Sequence, residues 1–104
     1  MKNAEILRDL KEALSGRFGK NVVDIILFGS QLSDKKSESD YDILILLKER
    51  PTWQIEREIS DICYEIELKY GIMTDTHILC EEELNSPRGK QPVFANAISN
   101  GLHV

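Results

Sequence analysis

Two carboxylates stand two residues apart, directly before an apolar run. Asp40 and Asp42 precede residues 43–47, a run rich in branched aliphatic side chains that is typical of a β-strand. Alternate side chains of a strand share a face, which would place the two carboxylates about 5 Å apart. Two like charges at that distance repel by roughly 3 kcal/mol at an effective dielectric constant near 20. A hard divalent cation would offset this repulsion, and Mg²⁺ typically binds one or two carboxylates together with phosphate oxygens.

A glycine and a serine follow the preceding apolar run. Residues 22–28 predict a first strand, and Gly29 and Ser30 come directly after it. Glycine lets the backbone approach a ligand closely, and serine offers a hydroxyl and an N–H at a turn. If the second strand returns beside the first, Ser30 comes close to the two aspartates, so that phosphates and a metal would meet at one edge. The alternative is an ordinary turn followed by a polar strand start, and the spacing alone leaves both open.

Helices and a third strand should frame this pair of strands. Apolar residues recurring at intervals of three and four predict helices over residues 3–18, from Pro51 to about Tyr70, and near the end of the chain. The last helix would carry Val93, Phe94, Ala97, Ile98 and Leu102. Residues 72–80 predict a third strand, on which Asp75 and His77 share a face. A single histidine most often has a structural role, and the sequence assigns no other role to His77.

The second strand is apolar on both faces, and both therefore need cover. Helices would pack on one face. The other would be covered by further chain or by a partner, and a homo- or hetero-oligomer is therefore expected.

Size and composition predict one globular domain over residues 1–104. Of the 104 residues 41% are hydrophobic and 30% are charged, which excludes a disordered chain. No apolar run approaches the roughly 20 residues that span a membrane, and the N-terminus is charged at once, unlike a signal peptide. Cys63 and Cys80 match no metal or redox spacing and are interpreted as reduced core thiols of a cytoplasmic protein. The net charge of −5 argues against direct binding of nucleic acid through phosphate contacts.

The order of these features resembles the DNA polymerase β-like nucleotidyltransferases. An apolar strand, Gly29-Ser30, a spacer, Asp40-Tyr41-Asp42 and a second apolar strand follow that family's pattern. At this length the chain is similar to the minimal nucleotidyltransferases, the antitoxins that pair with HEPN-domain proteins. The resemblance implies an α/β (α+β) fold, with a short mixed sheet flanked by helices. It covers nearly the whole chain, although the family often has arginine and glycine where this chain has Gln31-Leu32-Ser33-Asp34.

The resemblance also implies roles for individual residues. Gly29 and Ser30 would bind the phosphates of ATP or another nucleoside triphosphate, and Asp40 and Asp42 would bind Mg²⁺. A third carboxylate on the third strand completes the metal site in that superfamily, and Asp75 is the acidic residue available there. These catalytic residues would support transfer of a nucleoside monophosphate, with AMP as the leading candidate, to a hydroxyl such as a tyrosine of a HEPN-domain partner.

Two other functions are compatible with the same sequence. In the first, the domain is a catalytically weakened antitoxin that neutralises its partner by occlusion, which the unusual residues after Ser30 favour. In the second, it transfers nucleotides to a small molecule or a nucleic acid together with a helper subunit. The nucleotide base, the acceptor and the partner are not specified by the sequence.

Overall fold

The computed structural model describes residues 2–29 and 41–104, and within them three helices flank a four-stranded sheet. The helices are α1 (Lys2–Phe18), α2 (Trp53–Tyr70) and α3 (Pro92–Asn100). The strands are β1 (Val22–Phe28), β2 (Tyr41–Leu47), β3 (Thr74–Cys80) and β4 (Leu102–His103), and short 3₁₀ turns occupy Gly19–Asn21 and Glu81–Glu83.

The sheet is mixed and has the strand order β3-β2-β1-β4. β1 pairs antiparallel with both β2 and β4, whereas β2 and β3 run parallel. Parallel strands need a long crossover connection, and α2 provides it here. β3 is therefore an edge strand that reaches the sheet only after the chain has passed through α2.

One face of the sheet packs on α1 and α2. Alternate residues of β1 and β2, among them Ile25, Leu27, Ile43 and Ile45, form a buried aliphatic cluster with both helices. Ion pairs tie the two helices together, because Lys69 Nζ lies 2.8 Å from Asp9 Oδ2, and Arg17 contacts Glu58. The hydrogen bond from Lys69 lowers the pKa of Asp9. These features make this face a scaffold.

The opposite face packs on α3. Leu44 and Leu46 of β2 form a second buried cluster with Leu79, Phe94 and Ala97. Both faces of β2 are therefore covered within one chain. The expectation that the second face needs cover from further chain is correct, and this cover provides no argument for an oligomer.

The predicted elements are those of the structure, although several boundaries differ. β3 begins at Thr74 rather than at residue 72. α2 begins at Trp53 rather than at Pro51, because the Thr52 side chain accepts a hydrogen bond from the Ile55 N–H and caps the helix. The last helix ends at Asn100, and Leu102 was wrongly predicted to belong to it. Leu102 and His103 instead form β4, which pairs with Leu27 and Ile26.

Cys63 and Cys80 are buried and free, and burial raises the pKa of the Cys63 thiol. Among the described helices, none combines the length and apolar character needed to cross a bilayer.

Candidate active site

The parallel pairing of β2 and β3 brings two carboxylates side by side. Asp42 and Asp75 are direct partners in the register of the two strands, and Leu44 and His77 are the next pair on the same face. This is the face that α3 covers farther along the strands. Exposure increases from the buried Leu44 to the partly buried Asp42 and the exposed Asp75. The carboxylates therefore stand at the solvent-exposed end of the sheet.

His77 joins the two aspartates. One ligand atom each from Asp42, Asp75 and His77 can be chosen so that all three lie within 4.8 Å of one another. His77 Nε2 lies 3.6 Å from Asp75 Oδ2, which is longer than a hydrogen bond. The side chains of His77 and Asp75 are 33% and 56% exposed, so solvent and ligands can reach both.

Gly29 packs directly against Asp42. Gly29 has φ +81°, in the left-handed region that favours glycine. A β-carbon at this position would overlap Asp42 Oδ2 and lie 3.1 Å from Asp42 Cγ. The strand register explains the contact, because Phe28 is the direct partner of Asp42 on β1. Glycine is therefore needed here both for its backbone conformation and for the space it leaves to the carboxylate.

Two phenylalanines hold the imidazole of His77. The ring centroid of Phe28 lies 5.9 Å from that of His77, and Phe94 of α3 makes an edge-on contact at 5.8 Å. These rings restrict the position of the imidazole without contacting it through a polar group. Phe28 thus supports two members of the site, since it also pairs with the backbone of Asp42.

The start of β3 is anchored on α2. Glu67 Oε2 accepts hydrogen bonds from the Thr74 N–H at 2.7 Å and from the Thr74 hydroxyl at 2.9 Å. Because Thr74 directly precedes Asp75, these bonds fix the backbone from which the exposed carboxylate projects. The anchor also gives the crossover helix a defined connection to the edge strand.

Arg88 is the basic residue with a described contact near the site. Its guanidinium lies 5.6 Å from the ring centroid of Phe94, whose ring also contacts the imidazole of His77. Arg88 Nε also lies 3.3 Å from Glu83 Oε2. A charged partner and an aromatic face thus hold this arginine in place.

The structure places three of the five predicted site residues together. Gly29, Asp42 and Asp75 meet at one end of the sheet, whereas Ser30 and Asp40 lie outside the described residues. The roles assigned to all five stay predictions. The sequence placed His77 on the same face as Asp75 but assigned it no functional role, and the structure brings it into the same cluster.

The donor atoms suit a divalent cation. Two carboxylates and one imidazole converge, and Gly29 keeps the space beside Asp42 free of a side chain. Octahedral ligands at 2.0–2.1 Å from an ion are about 3 to 4 Å from one another. A spread of up to 4.8 Å is somewhat wider than that geometry, so Asp42, Asp75 and His77 could hold one ion after small side-chain rotations.

Comparison with protein families identifies the class of this chain. Residues 7–98 match the nucleotidyltransferase domain family, and the chain belongs to that family. The predicted membership of the polymerase β-like superfamily, its mixed sheet with flanking helices, and its nucleotidyltransferase class are thereby confirmed. A search of solved structures found no match.

Three relatives from Methanocaldococcus jannaschii carry the name "Putative protein adenylyltransferase". The first is 38% identical over 74 residues, which are 70% of this chain and 75% of the relative. The second is 36% identical over 70 residues, covering 64% of this chain and 48% of the relative. The third is 31% identical over 87 residues, covering 82% and 81%.

Proposed function

We propose that this domain transfers AMP from ATP to a hydroxyl of a partner protein in a reaction that requires Mg²⁺. The observation that carries the proposal is the pairing of Asp42 with Asp75, with Gly29 against Asp42, in a chain of the nucleotidyltransferase family. The names of the three relatives support AMP as the group transferred and a protein as its acceptor.

The two carboxylates have different tasks in this proposal. Asp42 is partly buried and packs against Gly29, so it holds a fixed position for binding the metal beside the nucleotide phosphates. Mg²⁺ bound there would supply positive charge to the oxygens of the α-phosphate. Asp75 is exposed on the edge strand, so it would bind the same ion from the side on which an acceptor protein can approach.

The reaction forms one bond at phosphorus and breaks another. The acceptor oxygen attacks the α-phosphorus, and the bond to the oxygen that bridges the α- and β-phosphates breaks, releasing pyrophosphate. The hydroxyl proton passes to the Asp75 carboxylate, which holds it until solvent removes it. In this arrangement Asp42 acts on the phosphate and Asp75 acts on the acceptor.

The proposed partner is a HEPN-domain protein that the domain silences as its antitoxin in the cytoplasm. This part of the proposal follows from the resemblance in sequence to the minimal nucleotidyltransferases. In this proposal the partner presents the acceptor hydroxyl.

Isotope labelling tests the transfer directly. The chain, Mg²⁺ and a HEPN-domain protein are incubated with ATP labelled at either the α- or the γ-phosphate. We expect label from the α-phosphate alone on the partner, with a mass gain of one AMP, and loss of transfer in Asp42→Asn. Asp24→Asn is the matched control, because Asp24 lies on β1 and contacts His103 rather than the site. Label from the γ-phosphate would contradict the proposal.

The same experiment separates catalysis from occlusion. If Asp42→Asn binds the partner and still silences it fully, the domain neutralises by contact. The segment after Ser30, Gln31-Leu32-Ser33-Asp34, lacks the basic residue that would help bind a triphosphate, and it is the observation that favours this second function.

A further inference from the structure

We propose that His77 is a metal ligand, so that the site binds the later first-row transition ions, such as Co²⁺ and Ni²⁺, more tightly than a site made of carboxylates alone. The inference rests on the proposed function, because it concerns the same metal site. It adds a nitrogen ligand to a site that sequence reasoning built from oxygen ligands.

The first argument is the position of the imidazole. His77 lies on the same face of β3 as Asp75, and its partner in the register is Leu44, two residues from Asp42. A ligand atom of the imidazole lies within 4.8 Å of a carboxylate oxygen from each aspartate. A histidine that served only to neutralise Asp75 would be expected within hydrogen-bonding distance of it, whereas Nε2 is 3.6 Å from the nearer carboxylate oxygen recorded for that pair.

The second argument is how the ring is held. Phe28 and Phe94 contact the imidazole at centroid distances of 5.9 and 5.8 Å. The two phenylalanine rings restrict rotation of the imidazole, and they offer no hydrogen-bonding group to its nitrogens. This arrangement orders a ligand before the ion arrives, so less conformational freedom is lost on binding.

The third argument concerns chemistry. Imidazole suits Fe²⁺, Ni²⁺, Cu²⁺ and Zn²⁺, whereas carboxylates and water suit Mg²⁺ and Mn²⁺, and affinity for a given site generally rises from Mn²⁺ through Co²⁺ to Ni²⁺. Replacing one oxygen ligand by a ring nitrogen therefore changes which ion the site prefers. His77 is in this sense a residue that determines metal specificity.

Pulsed electron paramagnetic resonance of bound Mn²⁺ tests the proposal through the metal itself. A histidine nitrogen bonded to Mn²⁺ modulates the electron-spin echo, and we expect this ¹⁴N modulation in the wild-type chain loaded with Mn²⁺ alone. His77→Phe keeps an aromatic ring against Phe28 and Phe94 and removes the nitrogen, so the modulation should disappear. His103→Gln is the matched control, since it removes the chain's other histidine, and the modulation should persist.

Calorimetry provides the second measurement. We expect His77→Phe to weaken Co²⁺ binding by at least about tenfold, the loss that even removal of an outer-shell partner produces. Binding of Mg²⁺ should change less, so the dissociation constant for Mg²⁺ divided by that for Co²⁺ should fall. A His77→Leu variant, which also offers no donor atom, guards against a packing defect in His77→Phe, and it should show the same loss.

The outcomes separate this inference from the proposed function. Wild-type chain without ¹⁴N modulation, or modulation that survives in His77→Phe, overturns the role of His77. Transfer of AMP that depends on Asp42 would stand in either case. A wild-type chain that shows the nitrogen signal but transfers no AMP to the partner would overturn the proposed function and leave the metal ligand in place.

Discussion

The chain contains two histidines, and each lies beside an aspartate in a different way. His103 of β4 uses both ring nitrogens, because Nδ1 lies 2.6 Å from Asp24 Oδ2 and Nε2 lies 3.0 Å from the Ile98 carbonyl oxygen. His77 of β3 is held by two phenylalanine rings, and its Nε2 is 3.6 Å from Asp75 Oδ2. His103 and Asp24, called the closed pair below, are joined by a hydrogen bond. His77 and Asp75, called the loose pair below, are not, and apolar contacts hold the His77 ring.

This difference separates a structural histidine from a candidate ligand. An ionised carboxylate and a carbonyl oxygen only accept hydrogen bonds, so His103 must donate from both nitrogens and carry a positive charge to satisfy them. The Asp24 carboxylate accordingly raises the pKa of His103. His103 thereby ties β4 to β1 and to the end of α3. The loose pair at His77 instead leaves the acidic group within reach of an ion.

The largest effect is expected on catalysis, when the charge of Asp42, which lies beside the loose pair, is removed. Asp42→Asn should reduce AMP transfer roughly a hundredfold or more, because a metal supplies several kcal/mol of transition-state stabilisation. Rates are measured with ATP labelled at the α-phosphate. Asp24→Asn removes a carboxylate from the closed pair instead and should retain transfer under conditions where both variants are folded. Equal losses of AMP transfer in Asp42→Asn and Asp24→Asn would mean that the difference between the two pairs is unrelated to catalysis.

Metal should stabilise the folded chain through the cluster of Asp42, Asp75 and His77. With Mn²⁺ at about 100 times its dissociation constant, the free energy of unfolding should rise by about 2.7 kcal/mol, since the ion binds only the folded site. Thermal denaturation followed by circular dichroism measures this gain. Asp24→Asn should keep the gain and Asp75→Asn should lose most of it. A gain of the same size in Asp75→Asn would place the ion elsewhere.

Two glycines at positive φ test how closely the site is packed. Gly19 has φ +60° and open space around its α-carbon, so Gly19→Ala should cost only the backbone penalty, about 1 kcal/mol of unfolding free energy. Gly29→Ala adds the overlap with Asp42 to a similar penalty and should cost about 1 kcal/mol more. Urea denaturation gives both values. Gly29→Ala should also weaken Mn²⁺ binding in calorimetry, and unchanged binding would argue against a role for the close contact.

The smallest effect expected is a pH dependence of stability from the closed pair. Because the folded pKa of His103 is raised above its unfolded value near 6.5, its contribution is fully present below about pH 6.5 and is lost as the pH rises through the folded pKa. The pair is partly exposed, which limits the contribution to about 1 kcal/mol. Urea denaturation at about pH 6 and about pH 9 should show this loss in the wild type and not in His103→Gln. An equal change in both would assign the dependence to other groups.

Much of the fold could be predicted because its elements carry regular apolar patterns. The limits of β1 agree with the prediction, since Val22–Phe28 is a continuous apolar run broken only by Asp24. β4 could not be found, because two residues carry no periodicity and their strand character depends on pairing with Ile26 and Leu27. The start of α2 was misjudged by two residues because Pro51 and the cap Thr52 are both typical of a helix start.

The sequence predicted which residues belong to the candidate site but not how they are arranged in space. That Asp75 belongs with Asp42 was inferred from resemblance, since the register of two parallel strands joined by a helix is set by packing across the whole sheet. The sequence assigned no functional role to His77, because such a role depends on the neighbours that the strand register places beside it. Ser30 and Asp40, the other two predicted residues, lie outside the described part of the chain.

The edge position of β3 has a consequence for biosynthesis. The ribosome delivers Asp42 with β2 well before it delivers Asp75 and His77, and the intervening helix must cross the sheet before the three can meet. Pairing of this kind between distant segments is slow compared with local folding. A nascent chain ending in α2 would therefore present one described carboxylate of the three-residue cluster and no competent metal site. The domain would gain its chemistry in one late step, when its third strand docks.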